Sequence, residues 1–362
     1  MLASIIFKYL KFFIYKVARV LSYYPIFNNT VVVLSGGGFG NSINGKANYD
    51  FLKSRLNKNT VVLIAGKNDA NTISLKSIKG IIYLHFSKKI ITDNGIPFSV
   101  NLKNKIVVQT WHGIPIKKIG LNDQSLLARF GYLELQAMRH QWADTTAVIC
   151  LGEHVRTLMM QAFDVSYKQT VISHSPYMQK VLQIGGIEKL EKKGEIEKIF
   201  YLPTYRDWVT DRSWDLLEDN NFIEFFVKKN ITVYYKYHPL DADAMLKLLP
   251  SNFIKVDGDY VELLKECDCF ITDYSSAFFD ALLLDIPVFF YAVDYENYKK
   301  ERGIYDEELY ELICRLDGLK NEAKIEAAFV QAHIVGLTKI KDKYLPKLSV
   351  DSSAKKIIAY FE

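Results

Sequence analysis

Four short polar clusters carry the residue types on which chemistry could be built. They are Thr110-Trp111-His112-Gly113, with Lys117 and Lys118 close behind; Thr204-Tyr205-Arg206-Asp207; Lys236-Tyr237-His238-Pro239; and Thr272-Asp273-Tyr274-Ser275-Ser276, with Asp280 five residues past Ser275. A histidine between Trp and Gly, followed by lysines, suits proton transfer beside an anionic substrate; its plainer use is as a hydrogen-bonding turn residue. Ser275 and Ser276 open an apolar-periodic segment, where hydroxyls and free backbone N–H groups either hold a phosphate or simply cap a helix. Asp280 lies within reach of a ribose. Together the cations His112, Lys117, Arg206, Lys236 and His238 point to a diphosphate ligand.

Each cluster follows an apolar run that reads as a buried strand, over residues 106–109, 198–202, 231–235 and 269–271. In open parallel sheets ligands bind at the carboxyl ends of strands, so four polar clusters at such ends are hard to explain by capping alone. Residues 267–291 hold the whole unit: a strand, a polar turn, a helix over 277–284 stopped by Pro287, and a strand over 288–291. Further strands are expected over 30–34, 61–65, 80–85 and 147–151, with 90–94 ambiguous. Helices are expected from near Lys46 and over 125–144 and 153–163. Ser35-Gly36-Gly37-Gly38-Phe39-Gly40 lacks the dinucleotide G-x-G-x-x-G spacing, which leaves a structural turn and an acceptor loop both open. The pattern loosens near Gly185-Gly186 and the charged run over 188–198, the best place for a linker.

Composition bounds the rest. With 362 residues, 49% of them apolar, and only 9 prolines, a packed core is expected and disorder is not. A net charge of +5 is mild for a nucleic-acid binder, so no nucleic acid is expected as a partner. Cys150, Cys267, Cys269 and Cys314 lack paired metal spacing and read as free thiols in a reducing compartment. No Asp-x-Asp pair stands where it could hold Mg²⁺, and no metal is expected. Within residues 1–25, Lys8, Lys11, Lys16 and Arg19 interrupt every apolar run before it reaches the ~20 residues of a membrane span. On a wheel of ~100° per residue they share an arc of about 140°, opposite an apolar face. Such a helix lies in the plane of an anionic membrane surface, or packs on the protein's own core.

The segments TWHGIPIKKIG, YLPTYRD, KYHP and ITDYSSAFFDALLLDIPVFFY, in this order, resemble the CDP-glycerol:polyglycerophosphate glycerophosphotransferases that build teichoic acids. The likeness runs from about Val31 to the carboxyl end, where DYENYKKERGIY and residues 350–361 also fit. It implies an α/β fold of the GT-B class: two Rossmann-like domains facing across a cleft, with an amino-terminal amphipathic helix. The divisions it suggests are 1–28 for that helix, 29–185 for an acceptor domain, 186–345 for a CDP-donor domain, and 346–362 for a helix crossing back to the first. It further implies CDP-glycerol as donor and CMP as product, with a lipid-linked saccharide or a growing teichoic acid or capsule-type polymer as acceptor. No cofactor and a peripheral place on the cytoplasmic face of the cell membrane follow. Carried onto matching positions, His112 is the general base and His238 a second catalytic residue. Thr204, Arg206, Lys236, His238, Thr272, Asp273, Ser275, Ser276 and Asp280 are donor contacts; Gly38, Trp111, Gly113 and Lys117 stand on the acceptor side. In size the chain resembles the primase branch. One departure is Ser173-His174-Ser175-Pro176-Tyr177-Met178, where the family usually has a Gly-x-Pro-Arg-Asn/Asp segment. The competing readings are a CDP-ribitol or other polyol-phosphate transferase, a nucleotide-sugar glycosyltransferase of the same architecture, and a membrane-bound scaffold that binds precursor without turnover.

Overall fold

The computed structural model describes residues 19–36, 42–57, 61–66, 72–186, 196–206, 212–238, 248–331 and 337–362, together with Val17 and Trp208. The chain builds two parallel sheets in succession. The first contains β1 (Phe27–Leu34), β2 (Val61–Ala65), β3 (Ile73–Ser74), β4 (Ser87–Thr92), β5 (Ile106–Gln109), β6 (Ala147–Cys150) and β7 (Thr170–Ile172), in the order β3-β2-β1-β4-β5-β6-β7. The second contains β8 (Lys198–Leu202), β9 (Thr232–Tyr235), β10 (Phe253–Lys255), β11 (Cys269–Thr272) and β12 (Val288–Phe290), in the order β10-β9-β8-β11-β12. The central strands are covered on both faces, and Val31 to Leu34, all of β6 and all of β11 are buried. Double coverage is why they read as unbroken apolar runs rather than alternating ones.

The unit over residues 267–291 forms as expected: β11, a helix over Ala277–Leu283, then β12 paired parallel to β11 through Phe270 and Val288. The last helix, Val350–Ile358, lays Ala354 and Ile357, with Phe361 beyond it, against Val31, Val33 and Ile149 of the first sheet. A larger core joins the two sheets, running from Trp142, Met159 and Phe163 to Phe270, Phe278 and Tyr344.

Several elements differ from their sequence reading. Residues 80–85 are helical, inside Ile78–Phe86, because the Ser77 hydroxyl accepts from the Gly80 N–H and caps the first turn. Gly80 is required there: a Cβ would stand 2.1 Å from the Ser74 carbonyl oxygen. The strand left ambiguous is β4. The long helix expected over 125–144 is two, Gln124–Arg129 and Tyr132–Ala143, divided at Phe130-Gly131. The short strands β3, β7 and β10 were not anticipated. Residues 1–16, Gly38, most of the linker region and Asp207 lie outside the described residues.

Candidate active site

The carboxyl ends of β5, β8, β9 and β11 open on one cleft between the sheets. Trp111, His112, Gly113 and Lys117 line it from the first sheet; Thr204, Tyr205, Lys236, His238, Ser275 and Ser276 line it from the second. This larger cavity, about 410 Å³, falls in the range of small-molecule sites. A neighbouring one of about 230 Å³ shares His112, Gly113, Ser275 and Ser276 and runs on to Tyr177, Tyr260 and Asp280. The two walls meet at Gly113, whose φ is 145° and where a Cβ would stand 2.3 Å from the Ser276 hydroxyl. Glycine is needed at that point by both conformation and space.

His112 is held by its surroundings rather than by its neighbours in sequence. Its Nδ1 lies 2.8 Å from the Asp93 carbonyl oxygen, and since a carbonyl only accepts, Nδ1 carries the proton. That fixes the tautomer and leaves Nε2 with a lone pair on a ring that lines the cleft. The ring edge is open to the cleft, yet protein surrounds it, so desolvation lowers its pKa below the ordinary imidazole value, with Lys117 adding to the effect and Asp93 opposing it. A neutral imidazole with a free Nε2 is the form that accepts a proton. Trp111, which stacks on the ring at 4.2 Å, has a φ of 57°, an uncommon conformation for a bulky residue. Its N–H donates to Gln109 Oε1 at 2.9 Å, and Phe163 packs on its ring at 4.8 Å.

Asp93 ties this turn to the amino-terminal loop. One carboxylate oxygen accepts from the Gly36 N–H at 2.9 Å and the other from the Ser42 hydroxyl. Burial raises the Asp93 carboxyl pKa, and the Ser42 bond and the nearby imidazole hold it back. The residue was missed in the sequence although the signal was present: Ile90-Ile91-Thr92-Asp93-Asn94-Gly95 is a fifth apolar strand ending in a polar cluster.

On the second sheet the donor candidates divide into two sets. Thr204, Lys236, His238, Ser275 and Ser276 face the cleft. Thr204 presents a buried hydroxyl oxygen with no hydrogen-bond partner among the described residues. His238 stacks on Tyr205 at 5.5 Å, and burial lowers the pKa of Lys236. Thr272, Asp273 and Arg206 instead lie behind the wall. The Thr272 hydroxyl donates to the Leu202 carbonyl at 2.6 Å. Asp273 accepts from the Thr204 N–H at 2.8 Å, from the Tyr274 N–H at 2.5 Å and from Arg206. Arg206 has a fully buried side chain, bonds Asp294 at 3.0 and 3.1 Å, and sits over the Trp214 ring at 4.1 Å. A guanidinium so completely engaged braces Asp273 and is not among the residues lining the cleft, contrary to its expected place on a diphosphate.

Lys117, expected on the acceptor side, lies in the larger cavity among the second-sheet residues. Its segment is bonded across to the second half: Lys118 N–H donates to the Gly303 carbonyl, Tyr305 N–H to the Ile116 carbonyl, both at 2.9 Å, and Arg302 pairs with Asp123 at 2.8 Å. Burial and the nearby Arg302 bring the Lys117 pKa down to about 8. Asp280 is buried in the smaller cavity and accepts from Tyr177 and Tyr260 hydroxyls, each at 2.7 Å; burial pushes its carboxyl up to about 6. Tyr177 belongs to the departing segment 173–178, where Ser175 caps the helix Pro176–Gly185. That segment therefore reaches Asp280 directly. In the sequence Tyr177 stands out only as part of the departing segment, and nothing marks Tyr260 among 23 tyrosines.

Comparison with known proteins finds relatives of the chain. The teichoic acid glycerol-phosphate primase of Bacillus subtilis is 26% identical over 240 residues, 63% of this chain and 62% of the primase, so the match spans just under two thirds of that relative. The teichoic acid poly(glycerol phosphate) polymerase of Bacillus spizizenii is 25% identical over 319 residues, 80% of each chain, and the poly(ribitol-phosphate) polymerase of the same species is 25% identical over 81% of this chain and 49% of its own length. Among solved structures, a variant of the wall teichoic acid polymerase TagF soaked with CDPG superposes with a TM-score of 0.72 at 20% identity, over 92% of this chain and 88% of that one. A UDP-GlcNAc 2-epimerase from Methanocaldococcus jannaschii follows at a TM-score of 0.52 and 10% identity, over 91% and 99%. These likenesses give the fold, and the family is given by a profile match over residues 16–317, a span that includes every strand, the His112 turn and all the cleft residues described above: the chain belongs to the CDP-glycerol:poly(glycerophosphate) glycerophosphotransferase family.

Proposed function

We propose that the protein is a GT-B enzyme that transfers glycerol phosphate from CDP-glycerol to a hydroxyl of a lipid-linked saccharide or growing teichoic acid or capsule-type polymer, releasing CMP. The observation that carries the reading is the facing of His112, in the tautomer that accepts a proton at Nε2, by Thr204, Lys236, His238, Ser275 and Ser276 across one cleft. The acceptor oxygen attacks the β-phosphorus, the bond from that phosphorus to the CMP oxygen breaks, and the hydroxyl proton passes to His112 Nε2. Negative charge spreads over the phosphoryl oxygens and the departing CMP, where Lys236, Lys117 and the serine hydroxyls supply positive charge and hydrogen bonds. Arg206 acts at a distance, by holding Asp273 and through it the Thr204 backbone. Asp280 holds the ribose from the adjoining cavity, with Tyr177 and Tyr260 fixing its carboxylate. A neutral base, fixed cations and hydroxyls account for the transfer without a metal.

The amino-terminal helix attaches the protein to the cytoplasmic face of the cell membrane; among the described residues no helix is long and apolar enough to cross one. The likeness to a poly(ribitol-phosphate) polymerase keeps CDP-ribitol in view as donor. The test is incubation with a panel of CDP-glycerol, CDP-ribitol and UDP-sugars, measuring the nucleotide released. Acceptor-dependent CMP from CDP-glycerol is expected. UDP from a UDP-sugar would move the protein to glycosyl transfer, and binding without release would make it a scaffold.

A further inference from the structure

The helix Ile78–Phe86 turns Gly80, Leu84 and His85 inward and leaves Ile78, Ile81 and Ile82 79%, 44% and 39% exposed. At ~100° per residue these three fall within an arc of about 100° over the first turn and a half, so they form one apolar rib, which ends where His85, on the same arc, turns inward. Val20, Leu21, Tyr24 and Ile26 are also exposed, on a segment that is bonded to the carboxyl end of this helix. The Ile26 N–H donates to the Phe86 carbonyl at 2.9 Å, and Phe27 packs on Tyr83 at 5.4 Å. Arg19 donates to the carbonyl of Phe98, another exposed aromatic, at 3.1 Å. The helix is rigidly seated: the buried Lys105 ammonium donates to the His85 and Ser87 carbonyls at 2.7 and 2.8 Å. Clustered exposed apolar side chains of this kind on a folded protein mark an interaction site.

Charge selects the partner. Between Ala70 and Asn122 the one acidic residue is Asp93, and it is buried; no acidic residue precedes Asp50. Lys79 on the helix, Lys76 and Lys88 flanking it, and Lys103 are all exposed. Apolar side chains with exposed lysines on the same segment, and no exposed carboxylate there among the described residues, suit the headgroup boundary of an anionic bilayer, where isoleucines enter the acyl edge and lysines meet phosphates. We infer that Ile78–Phe86 and residues 20–26 together form a second membrane-docking element, which seats the folded body against anionic lipid. The inference rests on the peripheral reading given above and adds to it the face of Ile78–Phe86, which lies outside residues 1–25 and is joined to their carboxyl end.

Co-sedimentation of the full chain with vesicles of phosphatidylcholine, with and without phosphatidylglycerol, tests it. The wild type should bind the anionic vesicles. Ile78→Gln/Ile81→Gln/Ile82→Gln should weaken that partition by about 10-fold or more, at an unchanged thermal midpoint, and Ile78→Gln alone should show part of the loss. Lys76→Gln/Lys79→Gln/Lys88→Gln should lower the preference for anionic lipid by on the order of 10- to 100-fold, the cations of residues 1–25 keeping the remainder. If the isoleucine variants sediment like the wild type, the inference fails while attachment through residues 1–25 stands. A wild type that ignores anionic vesicles overturns both. If the isoleucine variants instead abolish a concentration-dependent dimer and keep vesicle binding, the face belongs to a second copy of this chain and the inference is overturned.

Discussion

Replacing Arg206 separates a residue that braces the donor wall from one that touches the donor. The side chain is fully buried, and its partner Asp273 has a side chain only 3% exposed. Arg206→Ala therefore strands a buried carboxylate, a change that costs about 3 to 5 kcal/mol. Asp273 keeps the Thr204 and Tyr274 N–H groups, which puts the loss near the lower end, about 3 kcal/mol. For a body the size of the second half, each kcal/mol moves the midpoint by about 2 to 4 °C, so near-UV circular dichroism should show melting about 6 to 12 °C earlier. Arg206→Lys restores the charge without the bidentate fork and should recover part of that loss. Calorimetry with CDP-glycerol, well below the lowered midpoint, should find donor affinity reduced by less than about 10-fold, since the Thr204 backbone shifts but no ligand contact is removed. A variant that melts like the wild type but loses donor binding by about 100-fold or more would refute the reasoning and put the guanidinium on the diphosphate after all.

Lys117 is charged below its pKa of about 8 and neutral above it, so kcat/KM should fall as pH rises through that value; Lys117→Arg, whose charge persists, should remove this alkaline limb in a pH–rate profile. An unchanged limb would assign it to another group. Asp93→Asn removes a negative charge that favours the imidazolium of His112, so the acid limb, already below the ordinary imidazole range, should move further down; NMR titration of the His112 ring checks the same shift without relying on turnover, and a stationary pKa in both would contradict the coupling. Ser275→Ala/Ser276→Ala keeps the backbone N–H groups and removes two hydroxyls, and should weaken CDP-glycerol binding by about 1 to 3 kcal/mol in calorimetry with the fold intact. Normal binding would make the serines turn residues only.

The strand ends were legible because burial on both faces of a parallel sheet writes each strand as an apolar run and each ligand-facing end as an abrupt polar cluster. His112, Lys236, His238 and Ser275 can be gathered on that ground from the sequence alone. What each side chain does at its strand end was not legible in the same way. Arg206 and Lys236 look alike in sequence, and one is consumed by Asp273 and Asp294 while the other faces the cleft, because Asp294 comes from a helix start 88 residues away. The tautomer of His112 depends on a carbonyl 19 residues upstream, and the setting of Asp280 on tyrosines from two separate segments. Residues 78–86 misled for a different reason: Gly80-Ile81-Ile82-Tyr83 has the composition of a strand, and the Ser77 cap together with a glycine pressed on Ser74 makes it a helix. Its isoleucines point outward, a placement that only the packed fold reveals.

The central claim is that the cleft performs phosphoryl transfer with His112 as the base, and His112→Ala tests it most directly. CMP release at saturating CDP-glycerol and acceptor should fall by about 10²- to 10⁴-fold, the usual contribution of a general base, while calorimetry finds donor affinity nearly unchanged. His238→Ala, measured alongside, should lose donor affinity as well as rate, since its contact exists before the transition state and during it. Turnover near the wild-type rate in His112→Ala, or donor binding lost in that variant and kept in His238→Ala, would contradict the account.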